Sequence, residues 1–551
     1  MKLLKNGVIM HGRMHYVRML VMFLLILTAS KVFTASDLTG IGTRAQSMGG
    51  NFRSIADDYS AMFWNPAGLA FQTGSEIGFS MTLVNQTLSY FPAPSPLYQE
   101  RSQNNPASES NASLRQFSAT FPYTVESSIP IIAVPSIGYV RNQGTWAWGI
   151  GAWAAYGVRA NYDLIGTSGY NDSPDFFSGE DWIDDMKFID IHPTVAYRFN
   201  ERFAAGVGLS FIIADIYLQK PAFSPMNPYL KYDISEQHFQ NYITQLPQEQ
   251  QAALQQALTE LQSSPRDHLL ADTYLSGFGL GLGGNIGVMY KPVETLSIGA
   301  SLQYYSTIPL EGEATIYAYY PYQQEIANVM KDSIRVGGQN REGLSEYYKR
   351  LFQEHELGFE EYYLLSKYGT GVIDTMRNKD LIRADMPLPM RMGIGISYTG
   401  IPRLTLAADV SMTTWSAWDA FDIKDEDDQL VNTIKRDWKD VIRAGFGLEY
   451  DLRRIKLRGG YYTESRAAIN ATLVPANPDI NRRHVMSLGA EYAVDQFRFH
   501  LCYEHTFMKD TEFSEWELLN PDAAFQLDYQ NMAGQYTSSM INFMMGLDIL
   551  L

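Results

Sequence analysis

The chain has 551 residues and a formal net charge of -17, which argues against nucleic acid or an anionic lipid surface as partner. Hydrophobic residues make up 46%, with 35 Tyr and 28 Phe, yet no run beyond residue 31 is long and apolar enough for a membrane helix of about 20 residues. The single cysteine, Cys502, excludes an internal disulfide or a multi-cysteine metal site and reads as a buried thiol.

Residues 1–35 read as an export signal. Lys2, Lys5, Arg13 and Arg18 form a basic region, and Met19–Leu27 a short apolar core. That core is too short to span, so cleavage is expected, near Ala35 or one of its neighbours. Residues 36–75 form a compact, mostly non-strand segment. Asp57 and Asp58 are placed to cap a short helical turn through Phe63, and Pro66 disfavours helix at Asn65. A segment this small and apolar has no core of its own and needs enclosing walls.

From residue 76 the chain falls into period-two runs. Ile77, Phe79, Met81 and Leu83 alternate with small or polar residues, as do Phe203–Phe211, Leu280–Tyr290 and the terminal Ile541–Leu551. About fourteen such strands are expected, an even number, as a closed bacterial barrel requires. Short turns such as Asn142-Gln143-Gly144 fall on one side. Long connections, roughly 90–130, 157–186, 220–275, 308–385, 415–438, 466–483 and 508–537, fall on the other. A transmembrane barrel has this asymmetry, and a soluble sandwich has no reason for it. Within the longest connections, Gln250–Leu261 in the loop that also holds Phe239–Ile243, and Glu346–Phe352 and Glu360–Leu365 in the other, read as helices with an apolar face. The fold class is therefore all-β: an antiparallel outer-membrane barrel over 76–551, plugged by residues 36–75.

The run Ala56-Asp57-Asp58 followed by Asn65-Pro66-Ala67-Gly68-Leu69 resembles the N-terminal hatch of the FadL/TodX-type outer-membrane transporters of hydrophobic compounds. The Asn-Pro-Ala triplet is that family's motif. The resemblance extends through Ala196-Tyr197-Arg198, Gly277-Phe278-Gly279, Trp415-Ser416, Trp438-Lys439-Asp440 and Arg458-Gly459-Gly460-Tyr461, over nearly the whole mature chain. It implies passive uptake of long-chain fatty acids or hydrocarbons across the outer membrane of a Gram-negative bacterium. The implied steps are capture at an outer-loop groove, binding in the lumen, movement of the hatch and exit through a kinked third strand. The expected partners are hydrophobic small molecules and outer-membrane lipid. No cofactor, metal or enzymatic activity is expected, and the chain is expected to act as a monomer. The alternatives are a porin-like channel for polar solutes and a non-transporting binding or adhesion protein.

The gating residues are Asn65, Pro66, Ala67 and Gly68. For the lateral opening, Gly149 and Gly151 weaken strand three. Pro135 on strand two, counted back from the Asn142–Gly144 turn, falls roughly opposite Gly151, and strand four carries Pro193. Both neighbours thus lack a ladder donor near mid-wall, which points either to a kink or gap near Gly151 or to bulges at the prolines with no opening. By parity Arg391, Arg443, Lys456 and Arg458 face the lumen. They pair with Glu449, Asp409 or Glu491, or one of them meets a substrate carboxylate. Lys220, at the top of strand five, is a further candidate cation.

Three other constellations have blander readings. Gly279–Gly284 matches G-x-G-x-x-G, but strand continues where a helix is required, so small lumen-facing residues are the better account. Asp425–Asp428 reads as a solvated loop rather than a cation site. His500 and Glu504 face the lumen without a serine placed beside them.

Overall fold

A computed structural model describes residues 40–93, 125–126, 131–162, 182–225, 244, 248, 251–252, 268–321, 334–336, 340–342, 373–475, 479–515, 517 and 531–551. The signal region and the three helical segments expected in the long connections fall outside these residues, save isolated positions at 251 and 252.

The period-two alternation is satisfied by strands that pair in sequence and close. The barrel strands are β1 (Ser75–Pro92), β2 (Ile132–Asn142), β3 (Trp146–Tyr162), β4 (Trp182–Arg198), β5 (Phe203–Pro225), β6 (His268–Val293) and β7 (Leu296–Tyr305). They continue as β8 (Arg391–Ile401), β9 (Leu404–Thr413), β10 (Val441–Asp451), β11 (Ile455–Glu464), β12 (Arg483–Val494), β13 (Phe497–Met508) and β14 (Gly534–Leu550). β14 returns to β1 in an unbroken antiparallel register from Glu76↔Leu550 to Pro92↔Gly534. The result is a closed 14-strand barrel, which leaves no edge to aggregate.

Alternation then sorts the two faces. On β6, Phe278, Leu280, Leu282, Ile286, Val288 and Tyr290 are exposed on the outside, while Gly279, Gly281, Gly283, Asn285, Gly287 and Met289 face inward. The outer aromatics gather at the short turns, where Trp146 packs 4.5 Å from Tyr197 and Phe199 lies 5.4 Å from Phe203. Such a girdle sits where hydrocarbon meets water.

Strands run farther out than the apolar alternation suggests. Ile308–Pro321 continues β7, and Ile373–Met386 leads into β8 and pairs with it. Ala420–Lys424 and Leu430–Lys435 form a hairpin above β9 and β10. The reason is visible on the outer face. There Glu311, Glu313, Arg383 and Asp385 are exposed, so these extensions stand in water and need no apolar surface.

Candidate functional site

The lumen is filled in layers. Innermost is the hatch, residues 40–74, built from α1 (Thr43–Ser47), α2 (Ala61–Trp64) and a 3-10 turn over Pro66–Phe71. Asp58 Oδ1 accepts from Ser60 N at 2.9 Å and from Ser60 Oγ at 2.5 Å, fixing the start of α2. Asn65 is extended, at φ -163 and ψ 102, and its Oδ1 accepts from Ala67 N at 3.2 Å to open the next turn. This is the helix stop that Pro66 imposes on its predecessor. Gly49 and Gly50 turn the chain with φ of 64 and 68, a conformation that favours glycine. Ala45, Met48, Phe52, Met62, Ala67 and Leu69 are fully buried.

Helical turns leave backbone carbonyls unmet, and the wall supplies donors for them. Asn285 Nδ2 donates to Met62 O at 2.6 Å, Ser301 Oγ to Trp64 O at 2.7 Å, and Arg443 Nη2 to Gly49 O at 2.6 Å. In the other direction, Asn65 Nδ2 donates to Val288 O at 3.0 Å as well as to Arg53 O at 2.8 Å. Pro66 packs so close to β5 that a Cβ at Gly206 would lie 2.7 Å from Ala67 N. All four gating candidates therefore lie where hatch meets wall or hatch folds on itself. Gly68 leaves no room for a Cβ beside the Ala56 carbonyl.

Charge ties the hatch down as well. Arg44 Nη1 lies 2.6 Å from Asp57 Oδ1, and its Nε lies 3.1 Å from Glu449 Oε2 on β10. Burial pushes the Asp58 carboxyl up, against the pull of Arg44, which stands 3.9 Å away. Arg458 Nε reaches Glu449 Oε2 at 2.7 Å, and its Nη2 bonds Glu491. His500 Nε2 stands 2.8 Å from Asp548 Oδ2, and Glu504 accepts from Asn542 at 2.8 Å.

The candidate cations thus differ in their surroundings. Arg458 is wholly buried between two wall carboxylates, and Arg443 holds the hatch and lies 3.6 Å over the Tyr462 ring. Both are structural ties in this conformation. Arg391 stands between layers, its guanidinium 5.6 Å from the Phe63 ring of the hatch and 4.5 Å from the Tyr156 ring above. Lys220 is half-buried near the outer end of β5, opposite Thr273.

Above the hatch the lumen turns apolar. Tyr156, Tyr305, Ile308, Leu388, Trp415, Trp418, Phe421 and Val441 form one buried cluster. Trp415 meets Trp418 at 5.0 Å and Trp438 at 5.1 Å. A second cluster joins Leu88, Tyr90, Ala160 and Tyr162 of the wall to Leu473, Val474 and Ile480. Those last three belong to the connection between β11 and β12, which folds inward. Thr472 Oγ1 donates to Arg436 O at 2.5 Å, Met532 N donates to Leu473 O at 2.9 Å, and Asp479 Oδ2 accepts from Ala467 N at 2.6 Å.

The wall near strand three departs from the sequence reading. Gly151 pairs with Gly138 on one side and His192 on the other, so the ladder is continuous there. The hairpin folds about Gly144 and Thr145, which moves each partner by three residues and sets Gly151 away from Pro135. The register of β2 with β3 ends higher, at Ser136↔Trp153. Pro135 is the first residue beyond it, and the ladder of β3 with β4 shifts between Ala154 and Tyr156. Gly149 and Gly151 instead make room for Met62 of the hatch. Pro193 does interrupt a ladder, but with β5: pairing stops at Ile191↔Phe211 and resumes at Thr194↔Gly208.

At that interruption lies a polar group not anticipated from sequence. His192 Nδ1 lies 2.9 Å from Ser210 Oγ, Ser210 donates to Asp190 Oδ2 at 2.9 Å, and His192 Nε2 lies 3.1 Å from Asn285 Oδ1. The Trp153 ring lies 5.0 Å from the imidazole, tilted by 41°. The chain of bonds runs from the hatch carbonyl of Met62 through Asn285 to Tyr305, whose hydroxyl stands 3.3 Å from Asp190 Oδ2. Its signal in the sequence is Asp190 and His192 two apart on the lumen face. The Asp425–Asp428 stretch is a hairpin turn in which Asp425 Oδ1 accepts from Asp427 N and Gln429 N.

A closed barrel with an apolar exterior, an aromatic girdle and a buried hatch defines an outer-membrane β-barrel protein of the plugged type. The family profile described as outer membrane protein transport protein (OMPP1/FadL/TodX) matches residues 23–545, and the chain belongs to that family. Solved structures agree on the fold. A Pseudomonas aeruginosa FadL homologue superposes with a TM-score of 0.62 at 16% identity, covering 94% of this chain and 99% of that one. The P. putida toluene transporter TodX gives 0.57 at 14%, and the Ralstonia pickettii toluene transporter TbuX 0.54 at 14%, each with the same coverage. No curated protein sequence matches the chain.

Proposed function

We propose that the protein carries hydrophobic molecules passively inward across the outer membrane. One observation supports this most: the lumen above the hatch is packed with aromatic and aliphatic side chains, where a channel for polar solutes needs a wet, polar passage. The solved relatives named toluene transporters favour small aromatic hydrocarbons among the candidates. Cargo would displace side chains of the cluster around Trp415, and Arg391 beside it would meet a carboxylate where the cargo is a fatty acid. Arrival of cargo would loosen the hatch around Asn65–Gly68. The exit we favour lies between β2 and β3 beyond Pro135, where their register ends, one step above the position read from sequence.

The test is uptake of labelled toluene and oleate into vesicles containing the full mature chain, with conductance recorded on the same preparation. Saturable uptake with little ion current is expected. A large steady current would establish the porin reading, and neither uptake nor current would establish a binding protein.

A further inference from the structure

The paired path of β7 and β8 is broken at one level. Their ladder stops at Arg391↔Gln303 and resumes, in unchanged register, at Met386↔Ile308. Between these points Tyr304–Thr307 faces Pro387–Met390 without ladder bonds. Two prolines on one side have no N–H to give. Several of the other backbone groups bond elsewhere. Pro387 O accepts from Trp418 Nε1 at 2.7 Å, and Pro389 O from the Tyr156 hydroxyl at 2.9 Å. Met390 N donates to Thr414 Oγ1 at 3.0 Å, and Met390 O accepts from Thr414 N at 2.9 Å. Across the break, Ser306 N donates to Leu282 O on β6 at 2.8 Å.

This is the arrangement that lets a barrel wall part inside a bilayer. Unpaired backbone in hydrocarbon costs several kcal/mol per group, but here the polar groups named are satisfied from the lumen or from the far neighbour. The break also lies at membrane depth. Tyr304, Leu280 and Leu282 beside it are 59%, 63% and 61% exposed on the outer face. Inside it, Leu388 is buried in the same cluster as Tyr156, Tyr305 and Trp415.

We propose that this break is a lateral entrance through which hydrophobic molecules dissolved in the outer leaflet pass between β7 and β8 into the aromatic cluster. The proposal rests on the uptake reading above and adds the door. The described residues of the connection after β11, 466–475 and 479–480, occupy part of the lumen in one cluster with Leu88, Tyr90 and Tyr162, which favours a sideways route. Tyr156 sits at the irregularity of β3, so its bond to Pro389 links the entrance to the wall where exit is proposed.

Leu388→Cys in a Cys502→Ala background tests it in vesicles. N-pyrenylmaleimide delivered through the bilayer should label the introduced thiol about tenfold faster than a sulfonated, water-soluble maleimide, and toluene should slow it. Ile216→Cys, equally buried in the same cluster but behind continuous pairing, should react with neither. Labelling at 388 no faster than at 216, or faster from water, overturns the entrance. The pyrene-modified Leu388→Cys protein should take up toluene about tenfold more slowly than the unmodified variant. Uptake unaffected by the modification also overturns it. Absence of uptake before modification sinks the transport reading instead, while the labelling pattern still judges the opening by itself.

Discussion

The two halves of the lumen are held by different forces. The hatch meets the wall through directional bonds, such as Asn285 to Met62 O, Ser301 to Trp64 O and Arg44 to Glu449. The outer half is held mostly by contact among rings and aliphatic chains. Directional bonds specify one position and are costly to leave unmade once buried. Apolar packing is non-directional, so an apolar visitor can replace a side chain at small cost. Under the uptake proposed above, the difference suits a path whose outer part yields to cargo of varied shape while its inner part stays shut until a defined set of bonds breaks.

The largest expected effect breaks the inner half. Gly68→Val would drive a branched side chain into the Ala56 carbonyl, which is backbone and cannot rotate away. An overpacking cost of about 3 kcal/mol is expected, enough to dislodge the hatch, read as protease cleavage within 43–71 and a steady ion leak. An intact, non-leaking variant would mean that the hatch is not the seal. Trp415→Ala probes the outer half. It should cost about 3 kcal/mol in a urea titration in vesicles, and added indole should restore much of it, since a dry apolar cavity accepts an apolar guest. No rescue would show that the cluster is a fixed core and would erase the contrast. Asn65→Ala removes the donor to Arg53 O and Val288 O and the acceptor of Ala67 N. A loss of about 2 kcal/mol is expected, seen as faster hydrogen exchange at the hatch amides, with no rescue by indole or toluene.

The same contrast explains what could be read from the chain. The barrel was legible because lipid demands an apolar residue at every second position, and the helix stop at Asn65 because Pro66 disfavours helix in its predecessor. Strand ends were not legible. Alternation marks the hydrocarbon band, and the extensions at 308–321 and 373–386 lie beyond it. Nor was the offset of β2 against β3. A hairpin centre displaced from Gln143 to between Gly144 and Thr145 alters no local pattern, yet it moves the presumed gap away from Gly151. Arg443 bonds the hatch and Arg458 bonds Glu449, but parity says nothing of what stands opposite. That Glu449 and Glu491 take up Arg458, while Arg391 stands over the rings of Phe63 and Tyr156, is a fact of three dimensions. The Asp190–His192–Asn285 chain escaped for the same reason, because its members come from strands about a hundred residues apart.

Tyr156→Phe should give the smallest effect and the finest discrimination. It leaves the ring against Tyr305 and Trp415 and removes the hydroxyl that donates to Pro389 O. One buried hydrogen bond is worth about 1 kcal/mol, and the carbonyl left behind can relax toward the lumen, so global stability should barely move. Uptake is where the change should appear. If this bond belongs to the yielding half, its loss frees Leu388 and Pro389 from β3 and raises the rate of toluene uptake several-fold, with the hatch still protected from protease. If it belongs to the rigid half, uptake falls and hatch amides exchange faster, because strain at the β3 irregularity reaches Met62 through Trp153 and His192. The two outcomes have opposite signs in the same assay, so one conservative substitution locates the boundary between the regions.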